Sequence, residues 1–144
     1  MLFLCTQNSA RSQMAEALLQ WKGRGRFVAA SAGAVPADAV HPTALGVLAA
    51  HGYEWRGRPK GLADVGQERW DFVITLCDRA RETCPNLPGQ PVYAHWGLPD
   101  PAAVEGDEAA RVQAFEQAFL YLGRRIDLML ALPLERLKRA AAQH

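Results

Sequence analysis

No apolar run in the 144-residue chain approaches the roughly 20 residues that a bilayer-crossing helix needs, so a transmembrane helix is excluded on length. The opening Met-Leu-Phe-Leu-Cys turns polar too soon to be the apolar core of a signal peptide, and a cytoplasmic protein is expected. Charge of one sign is equally scarce. Sixteen basic against 15 acidic residues leave a net charge of +1 without blocks of like sign, so neither nucleic acid nor a membrane is expected as a partner. Cysteine is rare too: three residues, an odd number, do not make a secreted disulfide framework, and reduced thiols suit them better. Repeats, low-complexity tracts and linkers are missing. What remains is a chain with 49% hydrophobic residues, long enough to bury a core, read as one domain over 1–144.

Strand-like and helix-like segments alternate. A short apolar strand is expected over 2–5, then a helix over 10–22 with Met14, Ala17, Leu18 and Trp21 at spacings of three and four. The run 27–30 leads as a second strand into Ser31-Ala32-Gly33, and Pro42 opens a helix through Ala44, Leu45, Leu48 and Ala49 that Gly52 stops. The β-branched stretch 71–76 is the strongest strand; after a polar loop, 91–95 is the fourth. A long helix over 107–130 carries Val112, Phe115, Phe119, Leu122, Ile126 and Met129 on one stripe; Pro133 interrupts it and the tail continues as frayed helix. This alternation predicts an α/β fold in three layers, an open sheet of four parallel strands flanked by helices on both faces. Ligands of such sheets sit beyond the carboxyl ends of the strands, where Cys5, Cys77 and the segment after His95 all fall.

The first of those ends carries the strongest signal. Cys5-Thr6-Gln7-Asn8-Ser9-Ala10-Arg11-Ser12 runs from a strand into a helix, so the loop closes on a helix N-terminus whose amides and dipole favour an oxyanion. Arg11 offers a planar fork for two of its oxygens, and the same positive field should lower the pKa of Cys5 and supply a nucleophilic thiolate. Ser12 is placed to hydrogen-bond the sulfur, and Asn8 suits a left-handed backbone position in the loop. A cysteine with arginine six positions on arises by chance in about one such composition in four, but demanding Ser or Thr next lowers this to about one in a hundred.

Two further groups lie downstream. Cys77 and Cys84 are seven apart, a spacing that matches no usual zinc pattern, so a redox pair is read instead. Were 78–83 helical, the two Cα atoms would stand roughly 10 Å apart, beyond disulfide reach, and bonding them would require this segment to unwind or fold back. Asp100, between Pro99 and Pro101, sits in a stiffened loop that could aim a partly desolvated carboxyl as a general acid. His41, His51, His95 and His144 show no ligand spacing and are read as surface or packing residues.

Taken together, residues 5–16, Ser31-Ala32-Gly33, the Cys77 to Cys84 segment and His95-Trp96-Gly97 through Asp100-Pro101 resemble the thioredoxin-coupled arsenate reductases built on the low-molecular-weight protein tyrosine phosphatase fold. The resemblance runs from Leu2 to about Leu130. It implies that Cys5 attacks arsenate, held by Arg11 and the loop residues Thr6, Gln7, Asn8, Ser9, Ala10, Arg11 and Ser12. It implies also that Cys77 attacks the arsenic-bound sulfur to release arsenite, and that Cys84 takes over the disulfide and presents it to thioredoxin. Three thiols in relay suit such a cascade, whereas a phosphatase needs only Cys5, Arg11 and Asp100. Alanines after Asp100-Pro101 and a 35–41 loop without an aromatic favour a small inorganic anion, arsenate or phosphate, over a phosphotyrosine ring. Hydrolysis of phosphotyrosine or small phosphate esters through a Cys5 phosphocysteine is the alternative reading; an oxyanion-responsive or redox-sensing binding protein is a third. No resident metal or cofactor is expected. In some relatives potassium binds near the loop through residues matching Asn8, Glu16 and Ser31, and since its other ligands have no secure counterpart around Lys60 to Asp64, that cation is left open.

Overall fold

The computed structural model describes residues 1–65, 68–83, 87, 88 and 90–133. In chain order the elements are strand β1 (Leu2–Cys5), helix α1 (Arg11–Gly23), β2 (Ala30–Gly33), α2 (Pro42–Ala50), a short α3 (Leu62–Val65), β3 (Phe72–Thr75), α4 (Asp78–Thr83), β4 (Val92–His95), a 3-10 turn (Pro101–Ala103) and the long α5 (Glu108–Leu130). The four strands form one parallel sheet in the order β2-β1-β3-β4. The chain therefore leaves β1 toward β2 on one side and returns to β3 on the other, which puts the topological switch point, and its crevice, at the carboxyl ends of β1 and β3.

Alternation along the strands builds the three layers. Phe3, Phe72 and Ile74 face the apolar sides of α1, α2 and α5; Leu2, Leu4 and Val73 face the other way, onto Val65, Trp70, Ala80 and Leu87. Such two-sided burial explains why β1 and β3 read as continuous apolar runs. Pro42 stands at the first position of α2, and Asp107 caps α5 by accepting from the Ala110 amide at 2.9 Å.

Several boundaries differ from the sequence reading. The second strand begins at Ala30, because Leu2, the first residue of β1, pairs with Ala30, while Val28 is exposed. Trp21 is more than half exposed, edge-on to Tyr53 with the Arg24 guanidinium above it, so it lies off the buried stripe of α1. Val112 is exposed as well, since the burial of α5 starts at Phe115. The segment read as a polar loop after β3 contains α4. The expected helical tail, 134–144, lies outside the described residues, and so does Cys84. Among the described residues no helix is long and apolar enough to cross a membrane.

Candidate active site

Backbone hydrogen bonds set the loop between β1 and α1. The carbonyls of Thr6, Gln7 and Ser9 accept from the amides of Val35, Ala37 and His41 at 2.8 to 2.9 Å, and the Asn8 carbonyl accepts from Gln13 Nε2 at 3.1 Å. With its carbonyls drawn outward, the loop turns its N–H groups to the side an anion would occupy, the Thr6 amide meeting the Cys5 sulfur. Asn8 is fully buried at φ 52°, the left-handed conformation that asparagine tolerates. Its side chain donates to Ser12 Oγ at 2.8 Å and accepts from Gln13 Nε2 and the Lys60 amide. Ser12 thereby braces the loop while keeping its own hydroxyl proton. Gly33 passes so close that a Cβ there would lie 2.5 Å from the Thr6 carbonyl oxygen. A glycine is needed at that strand end because the loop crosses it.

The result is a cavity of about 260 Å³ lined by residues 5–11 with His41, Asp100 and Ala102. Parallel-style pairing continues past the strand ends: Leu76 donates to the Leu4 carbonyl, Trp96 to that of Thr75 and Leu98 to that of Leu76. This brings the third and fourth connections over the loop. Arg11 Nη1 donates to the Leu98 carbonyl at 2.9 Å, tying the anion loop to the Asp100 segment with, among the described residues, one of its five N–H donors. Asp100 caps the 3-10 turn through the Ala102 amide at 3.0 Å. It is exposed, not partly desolvated as the sequence reading had it, because the turn it caps lies on the rim of the cavity.

Cys77 immediately precedes α4, and its sulfur lies near enough to that of Cys5 for each to govern the other's ionisation. It also meets Thr6 Oγ1 at 3.3 Å and the Ala80 amide at 3.4 Å. The contact with Cys77, then burial, push the Cys5 thiol up against the pull of Arg11. The contact with Cys5, opposed by partial burial and helped by Thr6, the Ala80 amide and Arg11, brings Cys77 down to about 5. Two neighbouring thiols do not both ionise readily, and the surroundings favour the charge on Cys77, the less buried sulfur with Thr6 and the Ala80 amide beside it. The expectation of a Cys5 thiolate counted the loop's field but not the second thiol and the burial that oppose it.

Two residues escaped the sequence reading. Thr6 counted only as part of the loop, yet its hydroxyl serves the Cys77 sulfur; the signal was its place next to Cys5 at a strand end. His41 packs on Phe115 as a packing residue should, with ring centroids 4.7 Å apart, but also forms part of the cavity wall, its Nδ1 accepting from the Thr43 amide. His95 is bonded to Thr75 and Asp78, away from the cavity lining.

Comparison with known proteins agrees with this geometry. The family described as low molecular weight phosphotyrosine protein phosphatase matches residues 1–143. An arsenate reductase of Shouchella clausii is 34% identical over 125 residues, 86% of this chain and 89% of that protein. Among solved structures, an arsenate reductase in the phosphate binding state superposes with a TM-score of 0.73 at 27% identity, covering 90% of this chain and 95% of the other. A thioredoxin-dependent arsenate reductase of Corynebacterium glutamicum gives a TM-score of 0.63 at 32% identity, with 89% of this chain and 61% of that one covered.

Proposed function

The chain belongs to the low molecular weight phosphotyrosine protein phosphatase family, and from that premise we propose that it is an arsenate reductase, converting arsenate to arsenite with thioredoxin as reductant. The observation that carries this reading is a second thiol beside the first: Cys77 Sγ meets the hydroxyl of Thr6, the residue next to Cys5, at 3.3 Å, and its pKa is drawn down toward the thiolate. Phosphate-ester hydrolysis has no task for it.

The chemistry follows from the placements. The loop amides and Arg11 take arsenate, and the Cys5 proton leaves to Cys77 as the sulfur bonds arsenic. Asp100 protonates the departing oxygen, which goes as water. Cys77, held acidic by Thr6 and the Ala80 amide, gives the proton from Cys5 to solvent, and its thiolate attacks the Cys5 sulfur. The S–S bond forms as the S–As bond breaks, and the electron pair stays on arsenic, which leaves as arsenite. Cys84 then attacks Cys77, freeing Cys5 as thiolate, and the dithiol of thioredoxin reduces the Cys77–Cys84 disulfide. The helix α4 stands between these two cysteines in sequence, so their bonding requires it to unwind. Residual phosphatase activity is expected from the same loop. A reducing cytoplasm, with no resident metal or cofactor, fits a cycle that runs on free thiols.

The test is arsenate-dependent NADPH oxidation with thioredoxin and thioredoxin reductase, beside hydrolysis of a chromogenic phosphate ester. Sustained oxidation that disappears in Cys77→Ser is expected. Absence of arsenate turnover, with ester hydrolysis intact in Cys77→Ser and lost in Cys5→Ser, would make the protein a phosphatase.

A further inference from the structure

The potassium that family resemblance raises can be tested against the donor set present, and it does not fit. The Glu16 carboxylate is 5% exposed, on the buried side of α1. Its Oε1 accepts from Ser31 Oγ at 2.8 Å and from Lys60 Nζ at 3.3 Å. The Asn8 side-chain oxygen is taken by the Lys60 amide at 2.8 Å and by Gln13 Nε2 at 2.9 Å. Asp64 turns away to accept from the Gly61 amide at 2.9 Å. A potassium ion needs oxygen lone pairs converging on one point, and here Glu16 Oε1, Asn8 Oδ1 and Asp64 Oδ2 each face an N–H or O–H donor. Among the described residues no buried side-chain nitrogen or oxygen lacks a partner, and no cluster of acidic, histidine or cysteine side chains could hold a metal.

The positive charge that the buried carboxylate requires is supplied by the chain. We infer that the Lys60 ammonium is the built-in counter-cation of Glu16, so that the oxyanion loop is held without potassium. An unpaired carboxylate at this burial would be strongly destabilising. Lys60 is suited to the task because one residue grips three parts of the site. Its amide donates to Asn8, its carbonyl accepts from the Gly33 amide at 2.9 Å, and its ammonium meets Glu16 and, at 3.3 Å, the Arg58 carbonyl. The strap from Trp55 to Lys60 is anchored further where Gln13 Nε2 donates to the Arg58 carbonyl and Trp55 Nε1 donates to Gln13 Oε1. A tethered ammonium is present at an effective concentration no free ion matches, so loop geometry becomes independent of the surrounding salt. The inference holds whichever reaction follows anion binding.

The experiment compares thermal melting and the binding of inorganic phosphate in potassium chloride and in choline chloride at equal ionic strength. The wild type is expected to behave alike in both salts. Lys60→Met should melt several degrees lower and bind phosphate several-fold more weakly, with or without restoration by potassium, while Lys60→Arg stays near wild type. Should Lys60→Met fail to fold, the pair Glu16→Gln and Glu16→Gln/Lys60→Met gives the same answer: removing Lys60 should cost far less once the carboxylate is neutral. A wild type stabilised by potassium, a Lys60→Met protein equal to wild type, or a Lys60 deletion cost unchanged by Glu16→Gln would each overturn the assignment.

Discussion

Thr6→Val isolates one donor to the Cys77 sulfur while keeping the shape of the side chain. The hydroxyl stands 3.3 Å from Cys77 Sγ, and Cys77 lies at about 5. A hydrogen bond to a charged group contributes about 1.5–3 kcal/mol, and about 1.4 kcal/mol corresponds to one pH unit, so the variant should raise Cys77 by about one to two units. The direction is that of an acid with a depressed pKa: the thiolate persists above about pH 5 and is lost as pH falls through that value. At pH 7 about half or more of the Cys77 population stays ionised even after the change. Near pH 5.5, a rise of about one and a half units would cut the thiolate fraction roughly eightfold.

The assay follows from that window. Thiolate absorbance near 240 nm, titrated on the reduced protein and on its Cys77→Ser control, should show the midpoint moving up in Thr6→Val. Single-turnover arsenite release should fall several-fold near pH 5.5 and little at pH 7, because only the ionised fraction of the resolving sulfur changes. An unchanged midpoint, or a deficit equal at both pH values, would mean that the hydroxyl does not hold the charge on Cys77.

Two other substitutions probe the loop and its rim. Gly33→Ala places a methyl group about 2.5 Å from the Thr6 carbonyl oxygen, a backbone atom that can retreat only by moving the loop. About 1–3 kcal/mol of stability should be lost together with phosphate affinity, read by thermal melting and calorimetry, and an unaffected affinity would show that the loop tolerates the shift. Asp100→Asn leaves the turn cap's oxygen in place but removes the proton donor. Arsenate turnover should fall by about a hundredfold or more with the melting temperature kept, and a fall below tenfold would assign the proton to another group.

Sequence legibility followed the range of the interactions. Cys5, Arg11 and Ser12 could be read because the loop and the helix that completes it are contiguous, and the strands because burial on both faces leaves continuous apolar runs. Helix α4 could not: it is six residues long, mostly exposed, with Ala80 its one buried side chain among those described, so it has no apolar stripe to announce it. The Lys60 contact with Glu16 spans 44 positions and sits on a strap without periodic pattern.

The influence of Cys77 on the ionisation of Cys5 was hidden in the sequence for a related reason. Local rules assign a field to Cys5 from the helix that follows it, and that field is real: Arg11 does pull its pKa down. Sheet pairing of β1 with β3 sets a second thiol against the first, and the competition for one proton then outweighs the field. The sequence order of the cysteines says nothing of this, because it arises only when the strands lie side by side. The same adjacency makes the relay possible, since a sulfur close enough to take the proton of Cys5 is close enough to attack that sulfur once arsenic is bound. The acidity of Cys77 and its role as resolving thiol thus share one structural cause, and a substitution that separates the two strand ends should remove both together.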